Sequence, residues 1–494
     1  MKKPVATCCG GYTKYHIATF FLTYVSYCFY NAARKTFSNV KTSVRLSWAP
    51  PDENETLPEG YSDHVIADNI DPFLENADEA EVFFGILDTV FLVSYAIGLY
   101  VSGMLGDRLD LRKVLGGGMC LSAFAIFMFG SLSEWISLYN KAYYIVFWIL
   151  NGLLQGTGWP ALIAIMGNWF TESRGLVFGL WTSCQSVGNI LGSILAALVV
   201  NQGYEFAFLT TASILFVGGI IMLLFVVPSP SELNLPGSFM GLGETDETEL
   251  KKDFLSTGSD ATDEDDDDDD VRSTASVQRP QAIGFCHALI LPGVALFALC
   301  YACLKLVNYA FFFWLPYYLS NTFLWTEVVS DQMSMFYDIG GIIGGVFGGL
   351  ISDRIGVRSP VVVGMLVFSY GILFGYSFCP NSYILNAVLL TLVGIFVNGV
   401  AHVISSVVAA DLGQQDAIRG CREALATVTG IIDGTGTMGA AVGQIIVPVL
   451  QMNYGWPSVF YFLAIISIIG TFFILPVFVK ELKKLHNRSK YHEK

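Results

Sequence analysis

The chain has 494 residues, 53% of them hydrophobic and only 14% charged, with a mean hydropathy of +0.54. A soluble protein of this length needs more charge to cover its core, so the composition excludes an ordinary soluble enzyme and points to a polytopic membrane protein. The formal charge of −15 comes largely from residues 52–81 and the tract DEDDDDDD at 263–270; no basic stripe with interleaved aromatics points to nucleic acid. The ten cysteines lie mainly in the apolar runs or near the N-terminus, which argues against a disulfide framework and a metal site.

The first apolar run, 16–38, is long, lacks a small-residue cleavage site and reads as a signal anchor. It ends in NAARKTFSNV (31–40), where Arg34 and Lys35 stand with no acid beside them. A hydrophilic loop follows over 41–81 and carries the glycosylation sequon that begins at Asn54. Runs of roughly 20 apolar residues then recur near 83–105, 113–133, 143–167, 175–200, 206–228, 291–319, 334–352, 359–379, 384–409, 424–450 and 457–479. With the first, these make twelve helices, and most of the 49 glycines fall inside them, as close helix packing in lipid demands. Short alternating segments, the mark of a β-barrel, are not seen. The predicted fold is therefore an all-α membrane protein. It divides into an N-terminal six-helix bundle (1–228), an acidic cytoplasmic linker (229–285) too polar to fold, a C-terminal bundle (286–480) and a tail (481–494).

The two halves repeat a signature. GMLGDRLDLRK (103–113) follows the second helix and GLISDRIGVRS (349–359) the eighth. Two copies at equivalent places imply a duplicated six-helix unit. Asp107, Arg108, Asp353 and Arg354 then read as a latch that holds helix ends together, not as a substrate site. Short-loop cations (Lys2, Lys3 and Lys14; Arg108, Arg112 and Lys113; Lys480, Lys483 and Lys484) all fall on one side of twelve spans. Both termini are thus expected in the cytoplasm, with 41–81 on the luminal or exterior side.

These paired loops and the 6+6 layout resemble the major facilitator superfamily. Within it, ARKTFSNVK (33–41), NGLLQGTGWPALIAIMGNWF (151–170), GLWTSCQSVGNILGS (179–193) and IIDGTGTMGAAVG (431–443) look like the organophosphate:phosphate antiporter branch, and specifically solute carrier family 37. The resemblance implies two bundles rocking about a midplane site, with a phosphate ester exchanged for inorganic phosphate. It also implies that one cation from helix 1 and one from helix 7 meet on the substrate phosphate. Arg34 matches the first, with Lys35 beside it. At the second, the family's arginine position holds Asn308, six residues before Trp314, and Lys305 lies one turn earlier. Positions that carry a helix 5 histidine and a helix 2 lysine in bacterial relatives hold Gln185 and Leu99. Family membership further implies an intracellular membrane, the endoplasmic reticulum or the lysosome.

The residues make their own case. A charge at mid-bilayer costs about 2.5–3.5 kcal/mol and is usually kept for function. Adjacent helix residues point about 100° apart, so Arg34 is expected to face the pathway, with Lys35 at its wall or in the headgroups. Lys305 has no easy route to snorkel. An arginine fork and a lysine point charge from opposite halves would neutralise a phosphate monoester. Asp88, Asp338 and Asp433 are intramembrane acids read as charge partners or gates; Asp88 and Asp338 lie 19 and 15 residues before their loop Asp. Pairing of these two with Arg34 or Lys305 is one reading, proton coupling the other. Gln155, Trp159, Gln185 and Asn308 are candidate donors to sugar or phosphate oxygens, with helix packing the alternative for Trp159. His402 is either a ligand or satisfied by a neighbouring carbonyl.

No nucleotide-binding loop, metal cluster or nucleophile–base pair is present, so neither an enzyme nor a cofactor is expected. The expected function is exchange of phosphorylated small molecules, sugar phosphates, for inorganic phosphate by alternating access. The alternatives are a proton-linked or uniport carrier of another phosphate-like anion (a phosphonate or organic anion), and a non-transporting receptor or assembly subunit. Besides substrate, phosphate and membrane lipid, the 41–81 loop is large enough for an accessory membrane subunit to dock on.

Overall fold

The computed structural model describes residues 7–8, 12–49, 73–106, 110–170, 174–233, 284–413 and 424–492. Its first long helix, α1 (Lys14–Asn39), has 26 residues, about 39 Å at the helical rise. Eleven further helices among the described residues are long and apolar enough to cross a membrane. They are α2 (Ala77–Gly103), α3 (Leu111–Trp135), α4 (Lys141–Trp169), α5 (Val177–Gln202), α6 (Tyr204–Phe225) and α7 (Val294–Phe323). The series continues with α8 (Glu327–Ile355), α9 (Ser359–Tyr376), α10 (Tyr383–Val408), α11 (Thr427–Tyr454) and α12 (Trp456–His486). α1 differs from these only in apolarity, because its second half carries Asn31, Arg34, Lys35 and Ser38, all buried. One short antiparallel ladder, Thr7–Cys8 with Tyr12–Thr13, precedes it.

The duplication inferred from the loops reappears in the packing. α1 packs on α5 and α6, α2 on α4, and α3 on α6; six helices later, α7 packs on α11 and α12, α8 on α10, and α9 on α12. The halves meet through α2 with α11, α5 with α8, and α1 with α7. Exposure is inverted relative to a soluble protein. Phe21, Leu198, Leu224, Phe347, Phe368 and Phe472 point outward, where lipid tails would solvate them. Arg34, Lys35, Lys41, Lys305, Asp88, Asp331, Asp338 and Asp433 are buried inside.

Three local features aim side chains at the centre. α4 breaks inside QGTGWP: helix runs over Lys141–Gln155 and resumes at Gly158. A Cβ on Gly156 would stand 2.8 Å from the backbone of Gly98, so α2 and α4 touch there and Gln155 is turned inward. In α7, Pro316 sits within the helix and leaves the Phe312 carbonyl without its i+4 amide. In α10, π-helical turns at Gly394–Asn398 and Ile404–Val408 re-aim Asn398 and His402, a device frequent at functional sites.

The boundary expected at residue 41 shifts. The short helix Lys41–Trp48 follows α1 directly, Lys41 is fully buried, and α2 begins at Ala77. The cation stays inside because Asp88 meets it there, as described below. Asn54, Asp107, Arg108 and linker residues 234–283 lie outside the described residues. The end of the bundle that holds Asn39 and Lys41, away from the start of α1, is called distal below.

Candidate functional site

Arg34 sits on α1 facing the other half, 3% exposed. Its Nε donates to Gln155 Oε1 (3.0 Å) and its Nη1 to the Tyr309 hydroxyl (3.3 Å). Its guanidinium lies over the Tyr95 ring, 4.4 Å from the centroid. Gln155 is itself held, since its Nε2 donates to Asn151 Oδ1 (3.2 Å), which also accepts from Ser122 (2.7 Å). Arg34 Nη2 is buried with no acceptor among the described residues. A buried guanidinium donor left open is costly unless something anionic comes to meet it.

Lys305 approaches the same two rings from α7. Its Nζ lies 5.2 Å from the Tyr309 centroid and 5.9 Å from that of Tyr95. It donates to Asp433 Oδ1 (2.7 Å), Thr437 Oγ1 (2.8 Å) and the Asp433 carbonyl (3.4 Å), which occupies all three ammonium hydrogens. Thus Arg34 and Lys305, one from each half, converge on Tyr95 and Tyr309. Of the three acids weighed from the sequence, Asp433 on α11 is the one paired with a central cation.

Lys35 belongs elsewhere. Its Nζ donates to the Phe312 carbonyl (2.5 Å), the acceptor freed by Pro316, and Ser38 Oγ donates to the same oxygen (2.7 Å). One turn further, Lys41 pairs with Asp88 (2.5 Å), both fully buried, and its Nζ lies 3.9 Å from a Trp314 ring centroid. Ser43 bonds the Glu327 carboxylate, and the Tyr317 hydroxyl donates to Glu81 (2.5 Å). Apart from the Lys41–Asp88 pair, which lies within the N-terminal half, these contacts tie that half to the C-terminal one at the distal end. Asp88 therefore neutralises Lys41, not Arg34 or Lys305, because it lies seven residues, about two turns, before Tyr95 on α2.

A third group is mostly uncharged. Asn308 donates to Asn398 Oδ1 (2.9 Å), and Asn398 donates to Ser186 Oγ (3.2 Å). Ser186 Oγ also shares a hydrogen bond with His402 Nε2 (3.0 Å), and Asn189 donates to Asp338 Oδ1 (2.7 Å). Asn308 and His402 thus join one network, and Asp338 pairs with an amide, not a cation. Trp159 packs in an aromatic group with Tyr27 (4.7 Å) and Trp181 (5.4 Å), the helix-packing alternative. Gln185 is half-buried beside Ser186 and outside this network.

At the opposite end, Asp353 pairs with Arg358, whose Nε donates to Asp411 (2.7 Å); Arg354 is exposed. Burial works against the Arg358 charge, but the two carboxylates raise its pKa above the ordinary arginine value. The ion pairs in this half thus use the last arginine of GLISDRIGVRS rather than the one beside the aspartate.

Several residues were missed from sequence alone. Lys41 had been assigned to the loop, although it lies seven residues after Arg34 and so on a similar helix face. Tyr309 lies four residues after Lys305, and Tyr95 seven after Asp88; that spacing was the available signal. Asp331, seven before Asp338, is fully buried with neither carboxylate oxygen hydrogen-bonded among the described residues.

Known proteins agree with this architecture. The profile of the Major Facilitator Superfamily matches residues 69–258 and 297–494. A protein named Sugar phosphate exchanger 3 from Gallus gallus is 51% identical, covering 96% of this chain and 95% of that protein. Its namesake from Homo sapiens is 47% identical, covering 97% and 96%. A glucose-6-phosphate exchanger from Danio rerio is 35% identical, covering 95% and 93%. These are transporters, not enzymes. The chain is a transporter of the major facilitator superfamily and belongs to its sugar phosphate exchanger family, solute carrier family 37.

Proposed function

We propose that the protein exchanges sugar phosphates for inorganic phosphate, with the phosphate group held between Arg34 and Lys305. The carrying observation is that these two cations, one from each half, share Tyr95 and Tyr309 while Arg34 Nη2 keeps an unmet donor. An entering phosphate finds that open donor first. It then competes with Asp433 for Lys305, since the ammonium has no spare hydrogen. Moving Lys305 from a carboxylate on α11 to a ligand on α1 couples the halves through the anion. With no anion bound, Asp433 neutralises Lys305 and offsets the cost of burying it. Tight exchange further requires that only the loaded carrier reorients, and the distal ties between the halves hold the empty form back.

The names of the relatives support the substrate class, and the short-loop cations support cytoplasmic termini. On that orientation the distal end faces the lumen, Asn54 is glycosylated, residues 229–285 are a cytoplasmic linker, and the 41–81 loop is open to an accessory subunit. The endoplasmic reticulum and the lysosome are the membranes that fit the family. Phosphate-preloaded liposomes test the exchange. Uptake of labelled phosphate or glucose-6-phosphate is expected to require internal phosphate. Uptake indifferent to internal phosphate but driven by a pH gradient contradicts exchange, as does the absence of flux.

A further inference from the structure

We infer that the network of Asn308, Asn398, Ser186 and His402, with Asn189 and Asp338 beside it, is the subsite for the sugar hydroxyls. This rests on the phosphate site proposed above. Three observations carry it. The network starts next to the cations: Asn308 lies three residues after Lys305 on α7, about 4.5 Å along the axis, and beside Tyr309, which touches both. It is built from short-range donors and acceptors rather than cations. Asn308 to Asn398 (2.9 Å) and Asn398 to Ser186 (3.2 Å) form a chain of neutral amide and hydroxyl partners, and beside it Asn189 donates to the Asp338 carboxyl (2.7 Å). Such groups discriminate hydroxyls well and phosphates poorly. The network also crosses between the halves, from α5 to α8 and α10, and one of its acceptors, Asn189 Oδ1, is buried without a donor among the described residues.

The network spans two bodies that must separate in the cycle, with α5 in one half and α8 and α10 in the other. When they do, Ser186 loses His402 and Asn398, and Asn189 loses Asp338. A polyol, in which each hydroxyl both donates and accepts, replaces those lost bonds one for one; inorganic phosphate held by Arg34 and Lys305 has no sugar chain to extend toward them. The π-turn over Gly394–Asn398 is what brings Asn398 into line. The subsite therefore sets selectivity between sugar phosphate and phosphate, and leaves the anion to the two cations.

Equilibrium binding to the purified full-length protein separates these roles, with labelled inorganic phosphate and glucose-6-phosphate as probes. For Ser186→Ala and Asn398→Leu, the Kd of glucose-6-phosphate is expected to rise about three- to tenfold, the loss of one or two neutral hydrogen bonds. The Kd of inorganic phosphate should move less than twofold, and that intact binding also reports a folded protein. Ser186→Ala removes a single hydroxyl and serves alone if Asn398→Leu does not fold. Equal changes for the two probes, or no change for either, overturn the subsite while leaving the phosphate site standing. A wild-type protein that binds neither probe overturns the phosphate site, and the subsite with it.

Discussion

Arg34 and Lys35 are neighbours in the chain and opposites in their surroundings. Arg34 keeps a buried donor open between the two halves. Lys35 spends its charge on a backbone carbonyl that Pro316 has released. The difference arises from the 100° step between adjacent helix residues, which turns one toward Tyr95 and Tyr309 and the other toward the bend of α7. The same contrast holds one layer out: the central cations face rings and an exchangeable acid, while Lys41, Ser43 and Glu81 are engaged by Asp88, Glu327 and Tyr317. On the proposed reading, the open donor of Arg34 receives the anion, while Ser43–Glu327 and Glu81–Tyr317 join the halves at the distal end.

The contrast is broken most severely at Lys305. Lys305→Ala alone leaves Asp433 buried and uncompensated, a loss of about 3–5 kcal/mol, and folded yield should collapse. Adding Asp433→Ala should restore yield, measured by size-exclusion profile and thermal denaturation, but not phosphate exchange. Recovery of exchange in the double variant would place the phosphate elsewhere.

Arg34→Lys keeps the charge and loses the planar fork. Loss of charge-assisted hydrogen bonds worth about 1.5–3 kcal/mol predicts a rise in the phosphate Kd of about ten- to a hundredfold. Gln155→Leu, which frees Arg34 Nε and removes the bond to Asn151, should raise it about two- to tenfold with kcat little changed.

The smallest effect on binding is expected on the distal side. Pro316→Ala returns an amide to the Phe312 carbonyl and so competes with Lys35. The exchange rate should change a few-fold while phosphate Kd stays within about twofold, since a neutral hydrogen bond is worth about 0.5–1.5 kcal/mol. A Kd that follows the rate would make the distal ties part of the anion site.

Much of the fold was legible in the sequence because lipid imposes long apolar runs and the duplicated loops mark the repeat. α10 was expected at 384–409 and runs over Tyr383–Val408. The candidate cations were legible too, since a charge inside such a run is conspicuous. What escaped was partnership. Asp433 lies 128 residues from Lys305, and only the packing of α7 on α11 joins them. Lys41 looked like a loop residue because its partner, Asp88, lies 47 residues away on α2. Tyr95 and Tyr309 escaped because aromatic residues abound in every span, and nothing in composition separates a ring over a guanidinium from a ring in lipid. The uncharged network escaped for the same reason: Ser and Asn are common packing residues in membrane helices.

The most direct test is equilibrium binding of labelled inorganic phosphate to purified Arg34→Lys and Lys35→Met side by side. The open-donor account predicts at least tenfold weaker binding for the first and a Kd within about twofold of wild type for the second. Equal losses in the two variants, or a larger loss at Lys35, would contradict it.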